Sequence, residues 1–209
     1  MTKKGKQETA KEICVIFVEG DADELMIRRL LDYYAEKGWK RKDEVFVNKT
    51  HGTPMLGKMK KGLVKIRQDM EGKASFRAVC CEFDTDVYVN GFQKEPDWES
   101  IRKELKRYFG VVEFCCLRAE TSIENWMLDD AEGLIAALGL PKATKVKGTT
   151  GLEKMGNLFR LNRMSYSRNK GMEKIKPIID KLDIAKIREA RKNELKDFEK
   201  LLGVCQYLD

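Results

Sequence analysis

The 209-residue chain has one histidine, His51, only four prolines, and no Cys-x-x-Cys spacing among its six cysteines. A zinc knuckle or a histidine-rich metal site is therefore excluded, because those sites draw on paired Cys-x-x-Cys and His spacings. The cysteines stand as Cys14, Cys80–Cys81, Cys115–Cys116 and Cys205, mostly within apolar runs. Neighbours on a strand point to opposite faces, so they read as buried thiols in a reducing compartment. No apolar run approaches the ~20 residues of a bilayer span. The start, MTKKGKQETAKE, leads into a strand-like segment instead of a signal-peptide core. The expected address is cytoplasmic, with no membrane partner. Also missing is a GxxxxGK[ST] loop for nucleotide phosphates.

Charge is abundant. Charged residues make up 36% and hydrophobic ones 42%, with a mean hydropathy of −0.51, the composition of a soluble globular chain. Forty-one Lys and Arg against 34 Asp and Glu give a net charge of +7 and a pI near 9.0. Such a field attracts polyanions, and nucleic acid is the expected partner, although a solvated Lys/Glu-rich surface produces the same balance. The length suits one well-buried domain with a small helical annex.

Ile13-Cys-Val-Ile-Phe-Val18 is continuously apolar, as a central parallel strand covered on both faces requires. After Glu19-Gly20 comes an acidic helix start, Asp21-Ala-Asp-Glu24, and an amphipathic helix closed by Gly38. Glu44–Asn48 is a second strand, followed by a turn through His51 and a helix carrying Met55, Met59, Leu63, Ile66 and Met70, weakened by Gly62. Phe76–Cys81 is a third strand running into Glu82-Phe-Asp84-Thr-Asp86. A helix marked by Trp98, Ile101, Leu105 and Tyr108 precedes a fourth strand, Val111–Leu117. This alternation predicts an α/β domain with a mostly parallel sheet flanked by helices over residues 10–128. Residues 129–209 read as an all-helical C-terminal extension packed on that core, with a last helix over Asp183–Leu202.

Ligands of open parallel sheets bind beyond the carboxyl ends of the strands. The sequence puts acids there: Glu19 after strand one, Asp84 and Asp86 after strand three, and Glu120 and Glu124 after strand four. Parallel strands bring these groups to one rim, where a hard divalent cation is the economical counter-charge. Gly20 permits a sharp strand exit and close approach of a phosphate. Ser122 is expected to cap the helix ahead of Glu124, Trp126 to anchor the core, and Asp129-Asp130 to cap the next helix.

Val-Ile-Phe-Val-Glu19-Gly20 together with Glu-Phe-Asp84-Thr-Asp86 resembles the TOPRIM domain, the metal-dependent catalytic module of topoisomerases, bacterial-type primases and OLD-family nucleases. Within that group the chain is most similar to the OLD-like nucleases and the small stand-alone TOPRIM proteins of prokaryotes. That likeness adds Asp23, four positions after Glu19, and Ser122-Ile-Glu124-Asn-Trp126. The resemblance implies a Mg2+- or Mn2+-dependent nuclease acting on DNA or RNA, with metal ligands Glu19, Asp23 or Glu24, Asp84, Asp86 and Glu124. It further implies Glu19 as ligand or general base, and Lys170 or Arg168 neutralising charge on the phosphate. Any ATPase partner of OLD type is then a separate chain. Clusters at Lys37–Lys42, Lys58–Lys61 and Lys142–Lys147 would track a phosphate backbone or serve as solvated faces. A haloacid-dehalogenase-like phosphatase fits poorly, because its Asp-x-Asp belongs on the first strand. A non-catalytic TOPRIM-like binding or regulatory subunit is the alternative.

Overall fold

The unbroken apolar run at Ile13–Val18 lies in the interior of a sheet, every residue in it at most 1% exposed. It belongs to β1 (Lys11–Val18), and the computed structural model describes residues 10–89, 91, 94–167 and 172–208. In chain order there follow α1 (Asp21–Glu36), β2 (Val45–Lys49), α2 (Leu56–Asp69), β3 (Ala74–Asp84), the short α3 (Asp86–Val89), α4 (Trp98–Phe109) and β4 (Glu113–Ala119). The rest is helical: α5 (Ile123–Leu128), α6 (Ala131–Ala137), α7 (Gly151–Leu161), α8 (Met172–Ile179), α9 (Ile184–Ala190) and α10 (Lys192–Leu202). The four described strands are all parallel, in the order β2-β1-β3-β4. The α/β class, the parallel sheet and the C-terminal helices are thus as expected.

Side chains alternate across the sheet. Cys14, Ile16, Val18, Ala78 and Cys80 pack on one face with α1 and the C-terminal helices. Ile13, Val15, Phe17, Val79 and Cys81 pack on the other, under α2 and α4. The first cluster runs without interruption from β1 through Trp126 of α5 to Phe198 of α10, so the helical extension supplies half the cover of the sheet. Its polar counterpart is Glu199 on α10, 5% exposed. Glu199 accepts a hydrogen bond from the Tyr34 hydroxyl at 3.0 Å and from Arg188 Nε and Nη2 at 2.7 and 3.1 Å. Burial, then the adjacent Glu199 carboxylate, push the Tyr34 hydroxyl well above its ordinary pKa.

Three local expectations change. β3 continues beyond Cys81 to Asp84, pairing Glu82 with Leu117 and Asp84 with Ala119, so its acids are part of the ladder. The helix expected over Asp183–Leu202 is two, joined at Arg191, whose guanidinium is bonded to Asp129 and Glu194. Gly62 has a packing reason: a Cβ there would lie 2.6 Å from Phe17 Cε1. Gly62→Ala gains about 1 kcal/mol of helix propensity, yet overpacking a filled core costs about 1–3 kcal/mol. A net loss of stability is the expected outcome, measured by chemical denaturation; an unchanged or raised midpoint would contradict the fit. The cysteines are free thiols, with Cys14, Cys80 and Cys81 buried, Cys115 and Cys116 half-buried and Cys205 exposed. Among the described residues, no helix is long and apolar enough to cross a membrane.

Candidate metal centre

Because β3 runs to Asp84, Glu82 and Asp84 are two apart on one strand and share a face. That face is the one carrying Ala78 and Cys80, toward α1. Gly20, just past the end of β1, is the N-cap of α1, and the third residue of the helix, Asp23, turns back so that Oδ2 accepts the Gly20 N–H at 3.0 Å. This is the ordinary satisfaction of an orphan N–H at a helix start. It also brings Asp23 over the strand ends. Asp23, Glu82 and Asp84 each present an oxygen, all within 4.8 Å of one another, with exposures of 4%, 0% and 3%.

Two of the three are anchored. Asp84 Oδ1 accepts the Ile123 N–H at 2.8 Å, tying β3 to the first turn of α5. Glu82 is different. Among the described residues neither of its oxygens has a donor, so the hydrogen bond open to it is one made by its own proton to Asp23. Burial is the main cause that raises its pKa well above the usual 4.5, followed by repulsion from Asp23, Asp84 and Glu19. A buried carboxyl surrounded by carboxylates must keep a proton or gain a cation.

The remaining expected residues fall in several places. Glu19 follows β1, half-buried, near enough for its charge to raise Glu82, while its carbonyl accepts the Gly52 N–H at 3.0 Å. Glu24 and Asp23 part company. Glu24 pairs with Arg28 at 2.7 Å and Lys49 at 3.1 Å, leaving Asp23 as the α1 acid of the cluster. Hydrogen bonds to Asp21, then to Glu24, raise the Lys49 ammonium above its ordinary pKa. Asp86 opens α3, half-buried, and lies outside the three-carboxylate group. Glu124 is fully buried on α5, where its Oε1 accepts the Tyr166 hydroxyl at 3.0 Å. Glu120 is exposed, its N–H donating to Glu194 Oε2 at 2.9 Å. Lys170 and Arg168 lie outside the described residues.

Comparison of the chain with protein-family models, curated proteins and solved structures finds no match.

Smaller expectations resolve as follows. Ser122 occupies the N-cap of α5 but makes no side-chain cap; the neighbouring Ile123 N–H goes to Asp84. Asp130 caps α6 by accepting the Gly133 N–H, whereas Asp129 pairs with Arg191. Trp126 is a fully buried core anchor whose Nε1 donates to Glu194 at 2.9 Å. Gly20 lies in ordinary extended backbone, φ −144°, so its place there is not a left-handed turn. His51 is an exposed turn residue with φ 52°. The residue that sequence reading missed is Glu82. Its signal was an acid inside an otherwise apolar strand, two positions before Asp84.

The donor set is all oxygen, which suits hard cations such as Mg2+ or Mn2+. The residues present fit such an ion on the strength of Glu82: a wholly buried carboxyl without a donor among the described residues, directed at two other carboxyl groups. Asp23, Glu82 and Asp84 would hold it, with Glu19 beside them.

Proposed function

We propose that this chain is a divalent-metal-dependent phosphodiester hydrolase acting on nucleic acid, related to the TOPRIM and OLD-like nucleases. The observation that carries this reading is the meeting of Asp23, Glu82 and Asp84 at the carboxyl end of a parallel sheet. A Glu-Gly after the first strand and an Asp-x-Asp after the third support it, as does the net positive charge. A divalent cation held there supplies Lewis acidity toward phosphoryl oxygens and acidifies water. The protein's own work is orientation. The Gly20 N–H fixes Asp23 and the Ile123 N–H fixes Asp84, while the Tyr166 hydroxyl fixes Glu124, which lies outside the three-carboxylate group on the next residue of α5. Glu19, half-buried beside the cluster, is the residue this reading assigns to take a proton from the attacking nucleophile.

The test is cleavage of plasmid, single-stranded DNA and tRNA with Mg2+ or Mn2+. Asp84→Asn and Asp23→Asn are expected to lose about 100-fold or more in rate, as removal of a charge-stabilising group at a phosphoryl centre does. Glu24→Gln, whose carboxylate faces Lys49 and Arg28, stays within a few-fold of the parent. Cleavage that survives Asp84→Asn overturns the reading. Binding without cleavage under any metal assigns the chain to the regulatory alternative.

A further inference from the structure

Two stretches of the chain are strongly basic. Residues 45–68 hold six Lys and Arg and no acid, but Lys49 there pairs with Asp21 and Glu24, and Lys60 with Glu104. Residues 141–167 hold Lys142, Lys145, Lys147, Lys154, Arg160 and Arg163 against a single acid, Glu153. Glu153 is engaged at the start of α7, where its Oε2 accepts from Thr149 Oγ1 and N at 2.6 and 2.9 Å. None of the six cations makes an ion pair with a described residue. The other two basic clusters differ, since Lys42 pairs with Asp32, Arg41 with Glu44 and Lys60 with Glu104.

Shape accompanies the charge. Asn157 Nδ2 on α7 donates to the Lys147 carbonyl at 2.9 Å and holds the 142–147 connector against the helix. Gly148 makes that approach possible: its φ is 133°, and a Cβ would meet Lys154 N at 2.9 Å. A depression of about 580 Å³ lies between connector and helix, lined by Lys145, Lys147 and Arg160 among others. A second, of about 470 Å³, is lined by Arg160, Arg163, Ser165 and Tyr166. Arg160 borders both, so the two depressions lie next to each other along α7. At the far end is Tyr166, the ring that packs on Phe159 and hydrogen-bonds Glu124. The α7 start packs on the α5 start, since a Cβ at Gly151 would lie 2.9 Å from Ser122 Oγ and 3.0 Å from Glu124 Cβ, and the Ile123 N–H between those two residues is the donor to Asp84.

We propose that the groove between the 142–147 connector and α7, continuing to Tyr166, is the docking surface for the sugar–phosphate backbone of a nucleic acid and leads it toward the carboxylate centre. Exposed, unpaired Lys and Arg gain by releasing the counterions condensed on phosphates. The one ring on the groove is committed to Glu124, so bases are not stacked and recognition is of the backbone, without sequence choice. The proposal rests on the hydrolase reading only for its substrate class.

The experiment measures fluorescence anisotropy of labelled single-stranded DNA, duplex DNA and RNA with the whole chain in EDTA. Lys145→Glu/Lys147→Glu/Arg160→Glu is compared with Lys103→Glu/Lys106→Glu/Arg107→Glu, an equal charge change on exposed residues of α4, which covers the opposite face of the sheet. The groove variant is expected to bind at least about tenfold more weakly and to lower the slope of log K against log salt by about two to three, near 0.7–0.9 per lost contact. The α4 variant stays within about twofold. Equal loss in the two variants, or unchanged binding by the groove variant, overturns the proposal; thermal melts establish that both fold. Because binding is read in chelator, a protein that binds through the groove but never cleaves rejects the hydrolase alone. A groove variant that cleaves and binds like the parent rejects the groove alone.

Discussion

Glu82→Gln is expected to make the metal-free protein harder to unfold at neutral pH and to abolish its response to divalent cations. Burial and three neighbouring acids raise the Glu82 pKa above its unfolded value. Between those two values the native state retains a proton that the unfolded chain has released, so stability falls as pH rises through that window. Below the unfolded value both states are protonated and the penalty is gone. A glutamine does not titrate, and its amide donates where only acceptors surround it. Its advantage should therefore be larger at pH 7.5 than at pH 5. A gain on the order of 1 kcal/mol corresponds to a rise of about 2–4 °C in Tm for a chain of this size. The parent should gain stability with Mg2+ or Mn2+, about 2.7 kcal/mol at a hundred times Kd. Melts in EDTA and in metal, at the two pH values, check both halves. A Glu82→Gln protein that melts lower than the parent at pH 7.5, or still responds to metal, sinks the assignment of Glu82.

Arg188→Met should cost up to about 3–5 kcal/mol, the penalty for stranding the buried carboxylate of Glu199, whose partner Arg188 is half-buried. The bond is bidentate, and Glu199 is 5% exposed with Tyr34 as its other described partner. Methionine preserves much of the apolar stem, so the loss reports the stranded carboxylate. The second variant separates charge from packing. Arg188→Met/Glu199→Gln should recover most of the loss, since an amide can accept from Tyr34 without a net charge. Denaturant titrations of the four-protein cycle measure the coupling. Additive losses in the double variant would mean that Arg188 contributes through packing alone.

The sheet was legible because its residues carry their own pattern. Ile13–Val18 reads as a doubly covered strand whatever lies around it, and the apolar spacing of α1 and α4 needs no distant partner. The cluster was legible only in part. Asp84 was marked by its place after a buried run, but that run was read as ending at Cys81, which made Asp86, instead of Glu82, the apparent companion of Asp84. Strand length is set by the ladder with β4, down to Asp84 opposite Ala119, and no local signal records it. Asp23 and Glu24 are adjacent in sequence, and the choice between them is made by the helix start: the third residue bonds back to Gly20 while the fourth reaches Lys49. Contacts such as Tyr166 with Glu124 and Tyr34 with Glu199, 42 and 165 positions apart, leave no periodic trace. The same holds for the groove along α7, where the basic connector was evident as composition and its pairing state was not.

The sharing of one sheet face between the first strand and the last helix has a consequence for biosynthesis. Val18 leaves the ribosome long before Phe198, which helps cover the same core. At roughly 5–20 residues per second, the oily side of the nascent β1–β3 layer waits many seconds for its lid. During that interval a chaperone, or the tunnel itself, is the natural guardian against aggregation.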